Sequence, residues 1–169
     1  MKSRNLKFTE AINEAMILSM KKEKKVICYG LGVDDPKKIF NTTNNLKEMF
    51  GSKRVFDVPA SENALTGIGI GSSLNGLRPV MVHQRLDFFL YAMDQLINGA
   101  AKWSYIFGGI SSLPLTIRLV IGRGWGQGPT HSQSLQSLFL HIPGLKIVMP
   151  SNSYQAKGLL NAAIFDNNP

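Results

Sequence analysis

With 169 residues, 44% of them hydrophobic and 18% charged, the chain can bury one substantial core, about 70% of its unfolded surface, which excludes a disordered chain. No apolar run approaches the about 18 residues of a membrane helix, residues 1–6 lack the apolar stretch of a signal peptide, and a single cysteine, Cys28, excludes an internal disulfide and a thiolate zinc cluster. The net charge of +8 is concentrated early, twelve of the 19 basic residues lying in the first 55 positions, but no aromatic residues interleave with the run Lys21-Lys22-Glu23-Lys24-Lys25. That run reads as a solvated helix end, where cations suit the dipole, and the expectation is a cytoplasmic protein that binds neither nucleic acid nor membrane.

In chain order, Thr9 can cap a helix whose apolar positions Ala11, Ile12, Ala15, Met16 and Met20 recur at three- and four-residue spacing. Residues 26–30 predict a buried strand, residues 44–50 a short helix stopped by Gly51, and residues 54–58 a second strand. Ser61 is placed to cap a helix running to Gly76, rich in glycine at Gly67, Gly69 and Gly71. Each glycine costs a helix up to about 1 kcal/mol against alanine, a cost that makes sense where another backbone or helix packs very close. Residues 79–83 predict a third strand, residues 87–103 a long helix apolar on more than one face, residues 115–121 a fourth strand, residues 145–149 a fifth, and residues 153–165 a closing helix.

Strands alternating with helices predict an α/β fold, an open, mainly parallel sheet with helices on both faces. Ligands of such sheets bind beyond the carboxyl ends of the strands, which brings residues 30–35, 59–62, 83–88 and 122–132 to one edge. There Glu62 stands in the first turn of the glycine-rich helix, where it can complement the helix dipole or do chemistry. His131 closes the segment 122–134, which has four glycines in seven positions and suits either a surface loop or a lid carrying a proton donor or acceptor. His83 and His141 read as structural. The helix glycines lack the G-x-G-x-x-G turn of a dinucleotide site, and no phosphate loop, metal-ligating histidine pair or G-x-S-x-G elbow occurs.

Taken together, Pro59-Ala60-Ser61-Glu62, Gly76-Leu77-Arg78-Pro79-Val80, Asp94-Gln95-Leu96-Ile97-Asn98, His131-Ser132-Gln133-Ser134 and Ile142-Pro143-Gly144-Leu145-Lys146-Ile147-Val148 strongly resemble the pyrimidine-binding domain of the beta subunit of 2-oxo acid dehydrogenases. These are the thiamine-diphosphate-dependent first components of the pyruvate and branched-chain complexes. The resemblance spans nearly the whole chain and implies the thiamine-diphosphate-binding fold over residues 1–169. It implies catalytic roles for Glu62 and His131 and cofactor contacts from Glu62 and Phe88. Glu62 matches the glutamate that hydrogen-bonds the aminopyrimidine ring nitrogen, Phe88 the aromatic residue stacked on that ring, and His131 the histidine beside the reacting carbon. It further implies an alpha-type partner holding the diphosphate and its magnesium, a second copy of the chain in an alpha2beta2 heterotetramer, and acyl transfer to a lipoyl-bearing acyltransferase.

The sequence departs from the family pattern in four ways. Leu31 follows Gly30 where an acidic residue is usual, the stretch Val82-His83-Gln84-Arg85 replaces a more acidic and apolar one, and Tyr91 stands where glutamine is common, all expected at or beside the cofactor entrance. The family's C-terminal domain is expected to be absent, so the chain alone should be inactive. The glycine-rich helix and the apolar helix of residues 88–103 are the expected subunit interfaces. Other thiamine enzymes, transketolase-like or deoxyxylulose-phosphate-synthase-like, remain alternatives, as does a non-catalytic module that assembles with a partner or holds an anionic ligand.

Overall fold

The structure, a computed structural model, describes residues 4–122, 124 and 126–169. Its centre is β1 (Val26–Gly30), whose five residues are all buried, as the unbroken apolar run requires of a strand covered on both faces. β1 pairs in parallel with β2 (Val55–Asp57) on one side and β3 (Arg78–His83) on the other, and β4 (Thr116–Leu119) pairs in parallel with β3, giving the order β2-β1-β3-β4. α1 (Phe8–Lys22) precedes β1, the turn α2 (Lys38–Asn41), α3 (Leu46–Phe50), α4 (Glu62–Leu74), α5 (Leu86–Phe89) and α6 (Trp103–Ile106) lie between the strands, and α7 (Ser153–Phe165) follows β4. No helix among the described residues is long and apolar enough to cross a membrane.

Strand alternation divides the core in two. Val26, Cys28, Val80 and Val82 face Met16 and Met20 of α1 and Ile164 of α7, while Ile27, Tyr29 and Met81 face Leu65 of α4 and Leu86 and Phe89 of α5. Burial pushes the Cys28 thiol up to about 11, which leaves it unreactive at neutral pH. Two arginines close helix ends. Arg54 donates to the carbonyls of Met20 and Glu23 at the end of α1 and to that of Val26 at the start of β1, and Arg78 donates to those of Ile164 and Asp166 at the end of α7, satisfying carbonyls that the helix ends leave open.

Several expectations need correction. Helix α1 starts one residue before Thr9. Its N-cap is Lys7, whose backbone N–H donates to Glu10 Oε2 at 2.8 Å. Ser61 is the N-cap of α4 but its hydroxyl makes no capping bond, and α4 ends at Leu74 with Asn75 as C-cap. The helix expected over 87–103 is instead a succession of α5, a 3-10 turn (Leu90–Ala92), a π-helical stretch (Gln95–Ala101) and α6. Small residues permit this widening: a β-carbon on Gly99 would stand 2.9 Å from Ile70 Cδ1, and one on Gly144 would stand 1.9 Å from the Ala101 carbonyl oxygen. Residues 145–149 are not a strand, because they lie beyond β4 without pairing to it. Lys38, Ile39, Phe40 and Asn41 form a left-handed turn with φ of 46–66°, a conformation costly for L-residues that the sequence did not signal.

The three helix glycines divide by environment. A β-carbon on Gly69 would lie 2.6 Å from the Tyr29 hydroxyl and 2.9 Å from Leu115 Cδ1, one on Gly67 would make an ordinary contact with Gln95, and one on Gly71 would meet nothing. The close packing expected of all three is thus realised inside the chain only at Gly69. Gly71→Ala is expected to stabilise the domain by about 0.5–1 kcal/mol. Gly69→Ala should destabilise it by about 1–3 kcal/mol through overpacking. Urea unfolding of the two variants checks the opposite signs.

Candidate functional site

The carboxyl end of the sheet is built by a glycine. Gly30 has φ +149° and a β-carbon there would lie 2.0 Å from the Val82 carbonyl oxygen, so the chain can leave β1 against β3 only without a side chain. Leu31 N–H then donates to that same oxygen at 3.0 Å, and the Val33 N–H donates to Asp57 Oδ1 at the end of β2. This frames a cavity of about 260 Å³ lined by Leu31, Glu62, His83, Gln84, Arg85, Phe88, Gln127 and His131. All four segments expected at the sheet edge contribute to it, and Glu62, Phe88 and His131 all line it.

Glu62, half-buried, is the first residue of α4, where the positive end of the helix dipole favours a carboxylate. Phe88 projects from α5, and its ring meets that of His131 edge-on, with centroids 5.1 Å apart and planes at 81°. His131 ends a short 3-10 turn (Pro129–His131) whose first position is a proline, and its Nδ1 lies 3.1 Å from Thr130 Oγ1. The turn is anchored by buried Asp87, whose Oδ1 accepts from the backbone N–H and the side-chain Nε2 of Gln133 at 3.2 and 2.8 Å. Of the glycine-rich loop before it, Arg123 and Trp125 lie outside the described residues.

Arg85 also lines the cavity; it donates to the Gln84 carbonyl and to Gln127 Oε1, both at 2.7 Å, and lies 5.7 Å over the Phe40 ring. One carboxylate therefore shares a small cavity with a guanidinium and two imidazoles, those of His83 and His131. Leu31 lines the cavity, whereas Tyr91 is 74% exposed and is not among the lining residues. Among the described residues no group of three or more His, Cys, Asp or Glu side chains could hold a metal ion.

His83, read from sequence as structural, belongs to the cavity wall. It is 1% exposed, neither ring nitrogen has a hydrogen-bond partner among the described residues, and burial pushes its pKa down to about 4. The available signal was its place at the carboxyl end of a central strand, beside Gln84 and Arg85. Because its folded pKa lies below the unfolded value near 6.5, the unfolded chain takes up the proton first. Stability is then lost as pH falls from about 6.5 to about 4, by about 3 kcal/mol for this group. Denaturant titrations at pH 7 and pH 4.5 should show this loss in the natural chain and a much smaller one in His83→Phe.

Comparison with known proteins agrees with this architecture. A split-gene transketolase described as an inactive beta4 tetramer superposes with a TM-score of 0.74 at 18% identity, over 98% of this chain and 50% of that one. The acetoin:2,6-dichlorophenolindophenol oxidoreductase subunit beta of Bacillus subtilis is 42% identical over 99% of this chain and 52% of its own length. The 2-oxoisovalerate dehydrogenase subunit beta of the same organism is 41% identical over 97% and 50%, and the human mitochondrial pyruvate dehydrogenase E1 component subunit beta 38% identical over 95% and 45%. The chain spans about half the length of these curated relatives. Residues 4–169 match the family model described as transketolase, pyrimidine binding domain, and the chain belongs to that family.

Proposed function

We propose that this chain is the pyrimidine-binding half of a thiamine-diphosphate-dependent 2-oxo acid dehydrogenase beta subunit. Working with an alpha-type partner, it takes part in the oxidative decarboxylation of a 2-oxo acid and acyl transfer to lipoamide. The observation that carries the proposal is the convergence of Glu62, Phe88 and His131 on one cavity. An aminopyrimidine fits this donor set. Glu62 offers a carboxyl group to a ring nitrogen, Phe88 an apolar face, and His83 two buried nitrogens whose hydrogen bonds the described residues do not fulfil.

Thiamine diphosphate, when bound, supplies a nucleophilic thiazolium carbon and an electron sink for decarboxylation. The chain's own residues do the remaining work on this side of the site. Glu62 holds a proton at the pyrimidine ring nitrogen and so sets the basicity of the amino group across the ring. Phe88 and Leu31 orient the ring and exclude water. His131, steadied by Phe88 and by the anchored turn, is placed to donate a hydrogen bond to the substrate carboxylate or to exchange a proton with the reacting group. The diphosphate and its magnesium are assigned to the alpha-type partner, as the resemblance implies. To the expected interfaces on the glycine-rich helix and residues 88–103 we add the apolar surface just beyond them at Tyr105, Ile106 and Ile110, which are 59–90% exposed.

Arg85 separates this reading from that of an acetoin-cleaving enzyme. A guanidinium in the cavity wall suits an anionic 2-oxo acid and gives nothing comparable to a neutral hydroxyketone. With the assembled full-length enzyme and dichlorophenolindophenol as acceptor, turnover should favour 2-oxo acids over acetoin. Arg85→Gln should raise KM for the acid about tenfold to a hundredfold, the worth of a charge-assisted hydrogen bond. Preferential turnover of acetoin, unaffected by that substitution, contradicts the substrate assignment.

A further inference from the structure

Among its described lining residues the cavity has one guanidinium, that of Arg85, and three different segments hold that group. The Gln84 carbonyl, its immediate chain neighbour, accepts from Nη1 at 2.7 Å. Gln127 Oε1 accepts from Nη2 at 2.7 Å, but Gln127 is exposed and stands between Gly126 and Gly128, at each of which a β-carbon would meet nothing. The third support is the Phe40 ring, whose centroid lies 5.7 Å from the guanidinium carbon, within the range of a cation–π contact.

Phe40 belongs to the turn α2, where Lys38, Ile39, Phe40 and Asn41 all have φ of 46–66°. Four consecutive left-handed L-residues persist only where their surroundings over-determine them, and such outliers gather at functional sites. The ties that hold this turn are on every side. Ile39 is 2% exposed and belongs to the core. Lys38 Nζ donates to Asp34 Oδ1 at 2.8 Å, and Lys47 donates to the other oxygen of the same carboxylate. Thr42 Oγ1 donates to the Ile39 carbonyl at 2.8 Å and accepts from Arg118 at 2.7 Å, and Thr43 Oγ1 donates to the Val33 carbonyl at 2.8 Å. With Ile39 turned into the core, the next side chain, Phe40, is presented at the surface, 40% exposed, beside Arg85.

We propose that Phe40 is a positioning residue for substrate recognition, its ring fixing the Arg85 guanidinium in the cavity wall, and that the left-handed turn is the device that holds the ring there. The inference rests on the substrate role given to Arg85 above. The chemistry of the contact separates Phe40 from the other two supports. The N–H groups of a guanidinium lie in its plane, whereas an aromatic ring attracts it through its face, so the ring leaves the edges open to a carboxylate, which binds them in pairs. Gln127 Oε1 occupies an N–H that an incoming carboxylate needs, so that bond is exchanged on binding while the Phe40 contact is kept. An arginine ordered before the substrate arrives loses less side-chain freedom on binding. The ring therefore acts on affinity for the acid and not on the chemical step.

The test is steady-state kinetics of the assembled full-length enzyme on pyruvate and 2-oxoisovalerate, with Phe40→Leu, Phe40→Tyr, Arg85→Gln and the Phe40→Leu/Arg85→Gln double variant. On the better of the two acids Phe40→Leu should raise KM about threefold to tenfold with kcat kept within about twofold. Phe40→Tyr, which keeps an aromatic face, should stay within about twofold of the natural KM. Added to Arg85→Gln, Phe40→Leu should raise KM no further, because the ring acts only through the guanidinium. A general loss of stability reproduces neither the rescue by tyrosine nor this non-additivity, and Phe40→Met gives the same comparison if the leucine variant does not fold. An unchanged KM in Phe40→Leu, an equal rise in Phe40→Tyr, or a full additive rise in the double variant overturns the proposal while leaving the role of Arg85 intact. An enzyme that turns over neither acid, or whose KM is indifferent to Arg85→Gln, overturns the reading of the site and this inference with it.

Discussion

Glu62→Gln is expected to lower turnover of the assembled enzyme by about 10²–10⁴-fold, the usual worth of a positioned acid–base group, with KM for the 2-oxo acid nearly unchanged. The amide keeps the size of the carboxyl group and can still touch the pyrimidine, but it cannot share a proton with the ring nitrogen. Glu62 is a half-buried first-turn residue of α4, so the structural cost is limited to its interaction with the helix dipole, about 0.3–1 kcal/mol. The discriminating readout is hydrogen–deuterium exchange at the thiazolium carbon. It should slow in parallel with turnover while the melting temperature stays within a few degrees. Unchanged exchange at that carbon contradicts the role given to Glu62.

Gly30→Ala is expected to be among the most damaging single changes to the fold, costing about 4 kcal/mol or more. The new methyl carbon would sit 2.0 Å from the Val82 carbonyl oxygen, and its other near neighbours, Val82 C and N at 2.8 Å, are also backbone of a central strand. A flexible side chain could move aside, but β3 cannot without breaking its pairing with β1 and β4. Since whole-domain stability is typically about 5–15 kcal/mol, the variant should be largely unfolded or insoluble at 37 °C. Gly51→Ala, where a β-carbon would meet nothing although φ is +80°, should lose only about 1 kcal/mol. Circular-dichroism melts of the pair separate a steric cause from a purely conformational one.

How much of this was legible in the sequence follows from the range of each interaction. The run Val26-Ile27-Cys28-Tyr29-Gly30 announces a strand because burial on both faces demands apolar residues at every position, and the alternation of such runs with amphipathic helices gives the α/β class. The functional edge was readable for the same reason, since the carboxyl ends of parallel strands gather their loops at one side. The segmentation of residues 87–103 was not, because a π-helical stretch depends on what Gly99 and Gly144 touch from distant parts of the chain. Residues 145–149 have the composition of a strand but lack a neighbour to pair with, and pairing is a property of two segments. His83 escaped notice because a histidine at the end of an apolar strand looks like core filling until its unpartnered nitrogens are found in the cavity wall. Arg54 and Arg78, which close the ends of α1 and α7, act across 28–88 positions of sequence and leave no local pattern.

The proposed function requires that the cavity of Glu62, Phe88 and His131 hold the aminopyrimidine of thiamine diphosphate in an assembly with an alpha-type partner. The most direct measurement is calorimetric titration of magnesium thiamine diphosphate into the assembled full-length enzyme, alongside the same assembly carrying Phe88→Ala and alongside each chain alone. Saturable binding in the assembly, weakened at least about tenfold by Phe88→Ala and absent from the separate chains, is the predicted result. An assembly verified by sedimentation that fails to bind the cofactor, or binds it equally well with Phe88→Ala, contradicts the claim.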